Sequence, residues 1–89
     1  MIRHPVVLQR ASVRQHGCPA HEAQLVDLSV YGCRVATDAN VEANDRLWLR
    51  FEGSRPVAGR AVWCEGGNIG CLFDEPLDKA LFRRLTLSS

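Results

Sequence analysis

Residues 46–51 read Arg46-Leu47-Trp48-Leu49-Arg50-Phe51, the cleanest alternation in the chain. Leu47, Leu49 and Phe51 fall on one side, and Arg46, Trp48 and Arg50 fall on the other. That is the period of a strand with one dry and one wet face. The same period recurs on both sides of it. Downstream, Glu52-Gly53-Ser54-Arg55-Pro56 is a turn leading into a strand over Val57 to Cys64. Glu65-Gly66-Gly67-Asn68 is the strongest hairpin turn, because its glycines can take positive φ. Ile69 to Phe73 closes the series. Upstream, a polar loop (Asp38 to Asn44) follows a strand over Cys33 to Thr37, with Cys33, Val35 and Thr37 on one face. Asp27-Leu28-Ser29-Val30-Tyr31-Gly32 turns the chain after a strand over Glu22 to Leu28. Val6 to Gln15 is a first, less regular strand, ended by His16-Gly17-Cys18-Pro19.

The period changes at the end. Leu77, Leu81 and Leu85 recur every four residues, with Arg83 and Arg84 in the last turn and Pro76 suited to a first helical position. A helix over 76–87 is predicted. Six short strands at such regular spacing predict an all-β fold: a six-stranded antiparallel β-barrel, closed so that no strand edge is left bare, with one short C-terminal α-helix. The 89 residues are read as a single domain, with a flexible N-terminal segment (1–5), a barrel (6–73) and the helix.

Composition narrows the function classes. Eleven basic and ten acidic side chains give a net charge of +1, which excludes a polybasic protein acting by bulk charge alone. The charge is nevertheless uneven. Residues 1–21 hold Arg3, Arg10, Arg14 and all three histidines, and every acid lies from Glu22 onward. The basic set is ten arginines to one lysine, Lys79, and arginine suits bidentate recognition of phosphate or guanine. No apolar run is long enough to span a bilayer, and Pro5, Gln9, Arg10 and Arg14 interrupt any signal-peptide core, so a cytoplasmic protein with no membrane insertion is expected. Cys18, Cys33, Cys64 and Cys71 show no CxxC spacing, which argues against zinc. Cys33, Cys64 and Cys71 lie in apolar strand-like runs and are expected to be reduced core thiols. No nucleophile elbow, phosphate-binding glycine loop or paired metal ligands are present, so neither an enzyme nor a metal site is expected.

The most informative local feature is the hexapeptide from Asp27 to Gly32. Asp and Ser at a strand-to-turn junction can hydrogen-bond the local backbone, and Gly allows a sharp reversal. A carboxylate is also the natural acceptor for the N1–H and N2–H₂ edge of guanine, and Ser29 would share a face of the wall with Asp27.

Here the chain resembles the PilZ family, bacterial receptors for cyclic di-GMP. The family's (Asp/Asn)-x-Ser-x-x-Gly signature is matched by Asp27, Ser29 and Gly32. Gly32-Cys33-Arg34-Val35 is similar to the strand that follows the signature. Gly59-Arg60-Ala61-Val62-Trp63 is similar to the family's Gly-x-Val-x-Trp strand, and Ile69-Gly70-Cys71-Leu72-Phe73 to its closing strand. The resemblance runs from about Arg3 to Leu85. The family's other signature, Arg-x-x-x-Arg just before the first strand, is matched only in part. Arg10 and Arg14 fit it literally but lie inside the first strand, with Arg14 13 positions before Asp27. The family's usual register selects Arg3, 24 positions before Asp27, and its partner would precede Met1.

The resemblance implies an adaptor whose ligand is cyclic di-GMP and whose ligand-bound surface regulates a protein partner. Arg3, or Arg10 and Arg14 in its stead, would clamp the nucleotide. Asp27 and Ser29 would hold a guanine edge, and Gly32 would let the backbone approach. Two other readings stand beside it. One is a PilZ-like barrel that has lost the nucleotide and acts through protein contacts. The other, less expected, is a small nucleic-acid-binding barrel with Arg46, Trp48 and Arg50 as its contact face, which requires an exposed Trp48.

Overall fold

The computed structural model describes residues 4–86, with side chains from Arg10 onward. The six strands run β1 (His4–Gln15), β2 (His21–Leu28), β3 (Gly32–Thr37), β4 (Arg46–Phe51), β5 (Val57–Glu65) and β6 (Asn68–Phe73). A single helix, α1 (Lys79–Thr86), follows. Each alternating run has one apolar face too small to be buried alone, and the strands solve this by closing on themselves. Their order is β1-β2-β3-β6-β5-β4, all antiparallel, with β4 pairing back onto β1. The expected six-stranded antiparallel barrel with a C-terminal helix is what forms.

The inward positions are those the alternation marks. Val13, Leu25, Leu28, Val35, Leu47, Leu49, Phe51, Ile69 and Phe73 fill the barrel. Burying each of the larger side chains contributes about 1.5–3 kcal/mol. Phe51 and Phe73 meet edge to face, with ring centroids 6.3 Å apart. The β5–β6 hairpin turns on Gly66 and Gly67, whose φ values of 59° and 81° are those a two-residue hairpin of this type demands. The β3–β4 loop must cross one barrel end, because these two strands are not neighbours. Asp45 organises it, its carboxylate accepting from the Glu42 N–H and from Gln15 Nε2, each at 2.9 Å, while Val41 plugs the core beneath.

Three details depart from the sequence reading. First, β1 begins at His4, so residues 4 and 5 of the expected N-terminal segment belong to the wall. Second, α1 starts at Lys79 rather than Pro76. The Leu77 N–H donates to the Val30 carbonyl (2.7 Å), which ties this segment to the β2–β3 turn, and Asp78 caps the helix by accepting from the Leu81 N–H (3.0 Å). Third, Cys64 is exposed, whereas Cys33 and Cys71 are core thiols facing each other across β3 and β6. The register of β5 shifts between Ala61 and Trp63, and the end of the strand runs past the core to the barrel rim. The Cys64 thiol is pushed above its ordinary value, by desolvation first and then by Cys71, Asp45 and Glu42. None of the four cysteines is in a disulfide.

Candidate functional site

The β2–β3 corner is built around Ser29. Its hydroxyl donates to the Gly32 carbonyl (3.3 Å) and accepts from the N–H groups of Tyr31 and Gly32 (3.2 Å each), while its own N–H donates to the Gly32 carbonyl (2.8 Å). Ser29 is 2% exposed. Its side chain is therefore directed into the turn and does not stand beside Asp27 on the outer wall. Gly32 is equally constrained. A Cβ there would lie 2.3 Å from the Cys71 carbonyl oxygen, so only glycine lets β3 approach β6 this closely. The tip is held from outside as well. The Tyr31 carbonyl accepts from the Phe73 N–H (2.8 Å), the Val30 carbonyl is held by Leu77, and the Tyr31 ring is left exposed.

Asp27 lies where β2 slips register against β3, and it pairs with Arg34. Asp27 Oδ2 is 2.8 Å from Arg34 Nη2, with the two side chains 14% and 43% exposed. Among the described residues, Arg34 Nε is buried with no hydrogen-bond partner. The pairing continues across the wall: Asp27 faces Arg34, Arg34 faces Gly70, and Gly70 faces Trp63. The Trp63 indole lies over Gly70, its Nε1 only 2.1 Å from where a Cβ would stand, and it is 39% exposed. An acceptor, a forked cation and an aromatic ring thus occupy one row of the outer face. Arg34 was legible as outward-facing, since alternation from Cys33 and Val35 turns it out, but its place opposite Asp27 was not, because the register shift between Leu25 and Asp27 sets it. The seating of Trp63 was not legible, because the β5 bulge decides it.

The arginines proposed for the first signature sit elsewhere. Arg10 and Arg14 lie on β1 with exposed side chains, opposite Gln24 and Trp48 respectively. Gln24 is three positions from Asp27 along β2, about 10 Å, and Arg14 is farther still. Arg3 lies outside the described residues. Among the described residues no group of His, Cys, Asp or Glu could hold a metal ion, and no helix is long and apolar enough to cross a membrane.

The site is thus a small closed barrel with a rigid turn and a polar-aromatic row on its wall. The family model for the PilZ domain matches residues 3–88, and the chain belongs to that family. It matches no curated protein and no solved structure.

Proposed function

We propose that this PilZ domain is a cyclic di-GMP receptor module that works as an adaptor, presenting a changed surface to a protein partner when the nucleotide is bound. The observation that carries this is the row Asp27, Arg34, Gly70, Trp63, anchored on a signature turn in a chain of this family. Each member has a matching chemistry in the ligand. The Asp27 carboxylate accepts from a guanine N1–H and N2–H₂ edge. The Arg34 fork offers donors to guanine O6 and N7 or to a phosphate. The Trp63 ring offers a stacking face, and Arg3 is the clamping arginine that the family's register implies. Ser29 and Gly32 serve by holding Asp27 at a fixed angle. Arg10 and Arg14 are the alternative clamp, reached only by a ligand extending along β1. The module binds and catalyses nothing.

Titration calorimetry with cyclic di-GMP tests this. Binding is expected, lost on Asp27→Ala and strongly weakened on Arg3→Ala. A folded protein that gives no heat at high ligand concentration would refute it. That result would favour the second reading, a barrel acting through protein contacts alone. The second reading has its own support: the Ser29 hydroxyl is committed to its turn and Asp27 is already paired with Arg34. A partner captured equally well with and without the nucleotide would establish it.

A further inference from the structure

The β1–β4–β5 seam carries a different surface. Where β1, β4 and β5 pair, the outward rows are Ser12 opposite Arg50, then Arg14 opposite Trp48 opposite Ala58, then Arg46 opposite Arg60. Arg10 continues the β1 side. Trp48 is 38% exposed and stands in the middle, with Arg14 across from it and Arg46 and Arg50 two positions away along its own strand, about 7 Å each.

Among the described residues only Arg46 of this set is neutralised. It makes a two-pronged ion pair with Asp74 through Nη1–Oδ1 (2.9 Å) and Nη2–Oδ2. Among the described residues Arg10, Arg14, Arg50 and Arg60 have no ion pair. Two of these are oriented without being neutralised: Arg50 Nε donates to the Ser54 carbonyl (3.3 Å) and Arg60 Nη1 to Asn44 Oδ1 (3.4 Å). Glu52 lines the same groove as Arg10 and Arg50, and Glu22 stands opposite Ser12 at the margin of the face.

Two grooves meet on this face. One, about 330 Å³, lies between Arg10, Ser12 and Arg50. The other, about 730 Å³, runs past Trp48, Val57, Ala58 and Leu81, with Asp74, Glu75 and Asp78 along its far wall. Gly53 lines both. The small side chain of Ala58 leaves room beside the indole. The arginines Arg10 and Arg50 of the first groove and the exposed tryptophan at the edge of the second offer phosphate and base contacts side by side, with the carboxylates of the second groove leaving the phosphates to the β1 side.

We propose that the β1–β4–β5 face binds single-stranded nucleic acid, with phosphates on Arg10, Arg14, Arg50 and Arg60 and a base stacked against Trp48. Charge complementarity selects an anion, and the exposed ring within the arginine set selects one with flat bases over an acidic protein segment. The less expected reading of the sequence, a small nucleic-acid-binding barrel, required an exposed Trp48, and Trp48 is exposed. The surface does not include Asp27, Arg34 or Trp63; it shares only Arg10 and Arg14 with the alternative clamp.

Fluorescence anisotropy of the full chain with a short labelled oligothymidylate tests it, with polyglutamate as competitor. The oligonucleotide is expected to bind. The slope of log K against log salt should be about −3 for four phosphate contacts, shrinking by about 0.7 for each arginine removed. Trp48→Ala should weaken binding about tenfold or more, and Trp48→Phe, which keeps a ring and protects the fold, should recover most of it. Arg10→Gln with Arg50→Gln should flatten the salt slope, and Asp27→Ala should change nothing. Absence of binding would overturn the proposal. So would polyglutamate competing as well as the oligonucleotide with Trp48→Ala silent, which would assign the face to an acidic protein.

Discussion

Arg34 and Arg14 are both outward-facing arginines on strands of one small barrel, yet they are in opposite states. Arg34 is clasped to Asp27, with its Nε buried. Arg14 is exposed opposite Trp48 and belongs to no ion pair among the described residues. The β2–β3 corner is tied inward by hydrogen bonds and an ion pair. The β1–β4–β5 face displays its cations to solvent. The difference is that between a site held ready in one geometry and a surface that attracts charge. A fixed corner can tell one nucleotide edge from another, whereas a cationic face with one aromatic ring reads backbone and stacking more than sequence.

The largest effect that separates the two regions is structural. Gly32→Ala forces a Cβ against a backbone carbonyl that cannot swing away. It should cost about 3 kcal/mol, a fall in Tm on the order of 15 °C by thermal denaturation. A matched change on the other face, Arg14→Gln, should leave Tm nearly unchanged. Next comes Asp27→Ala, which removes a partly buried ion pair. Its stability cost should be only about 1 kcal/mol, while cyclic di-GMP binding by calorimetry falls about a hundredfold or beyond detection. Gly70→Ala should be milder still. The added methyl displaces the Trp63 indole rather than backbone, so tryptophan emission should shift and nucleotide affinity drop several-fold with little change in Tm.

The smallest effect is chemical. Iodoacetamide should label Cys18 and Cys64 in the folded protein and spare Cys33 and Cys71, read by mass spectrometry. Because the Cys64 thiol is held above its ordinary value, its labelling rate should still be rising at pH values where an unperturbed thiol has levelled off.

The strands were legible because alternation is a local property: residues 46–51 state their own inward face, and closure follows from six such segments. The Asp27 to Gly32 turn was legible as a turn and as a family signature. What escaped depends on contacts distant in the chain. The start of α1 is set by the Val30 carbonyl taking the Leu77 N–H. Cys64 is carried to the rim by a register shift that no local pattern marks. Ser29 and Asp27 are two apart, which by strand period puts them on one face, but β2 ends at Leu28 and the hydroxyl turns into the corner. Nor does the sequence bring Arg14 beside Trp48, since only the β1–β4 closure does so. The acid-free arginine segment was visible from the start, and the barrel divides it. Arg10 and Arg14 join Arg50 and Arg60 on the β1–β4–β5 face.

The central claim is that Asp27, held by its turn and its arginine, is the recognition point for cyclic di-GMP. Calorimetric titration of the nucleotide into the wild-type chain and into Asp27→Ala, both shown to be folded, tests it most directly. Saturable binding to the first and none to the second is the predicted result. Equal binding by both, or by neither, would contradict it.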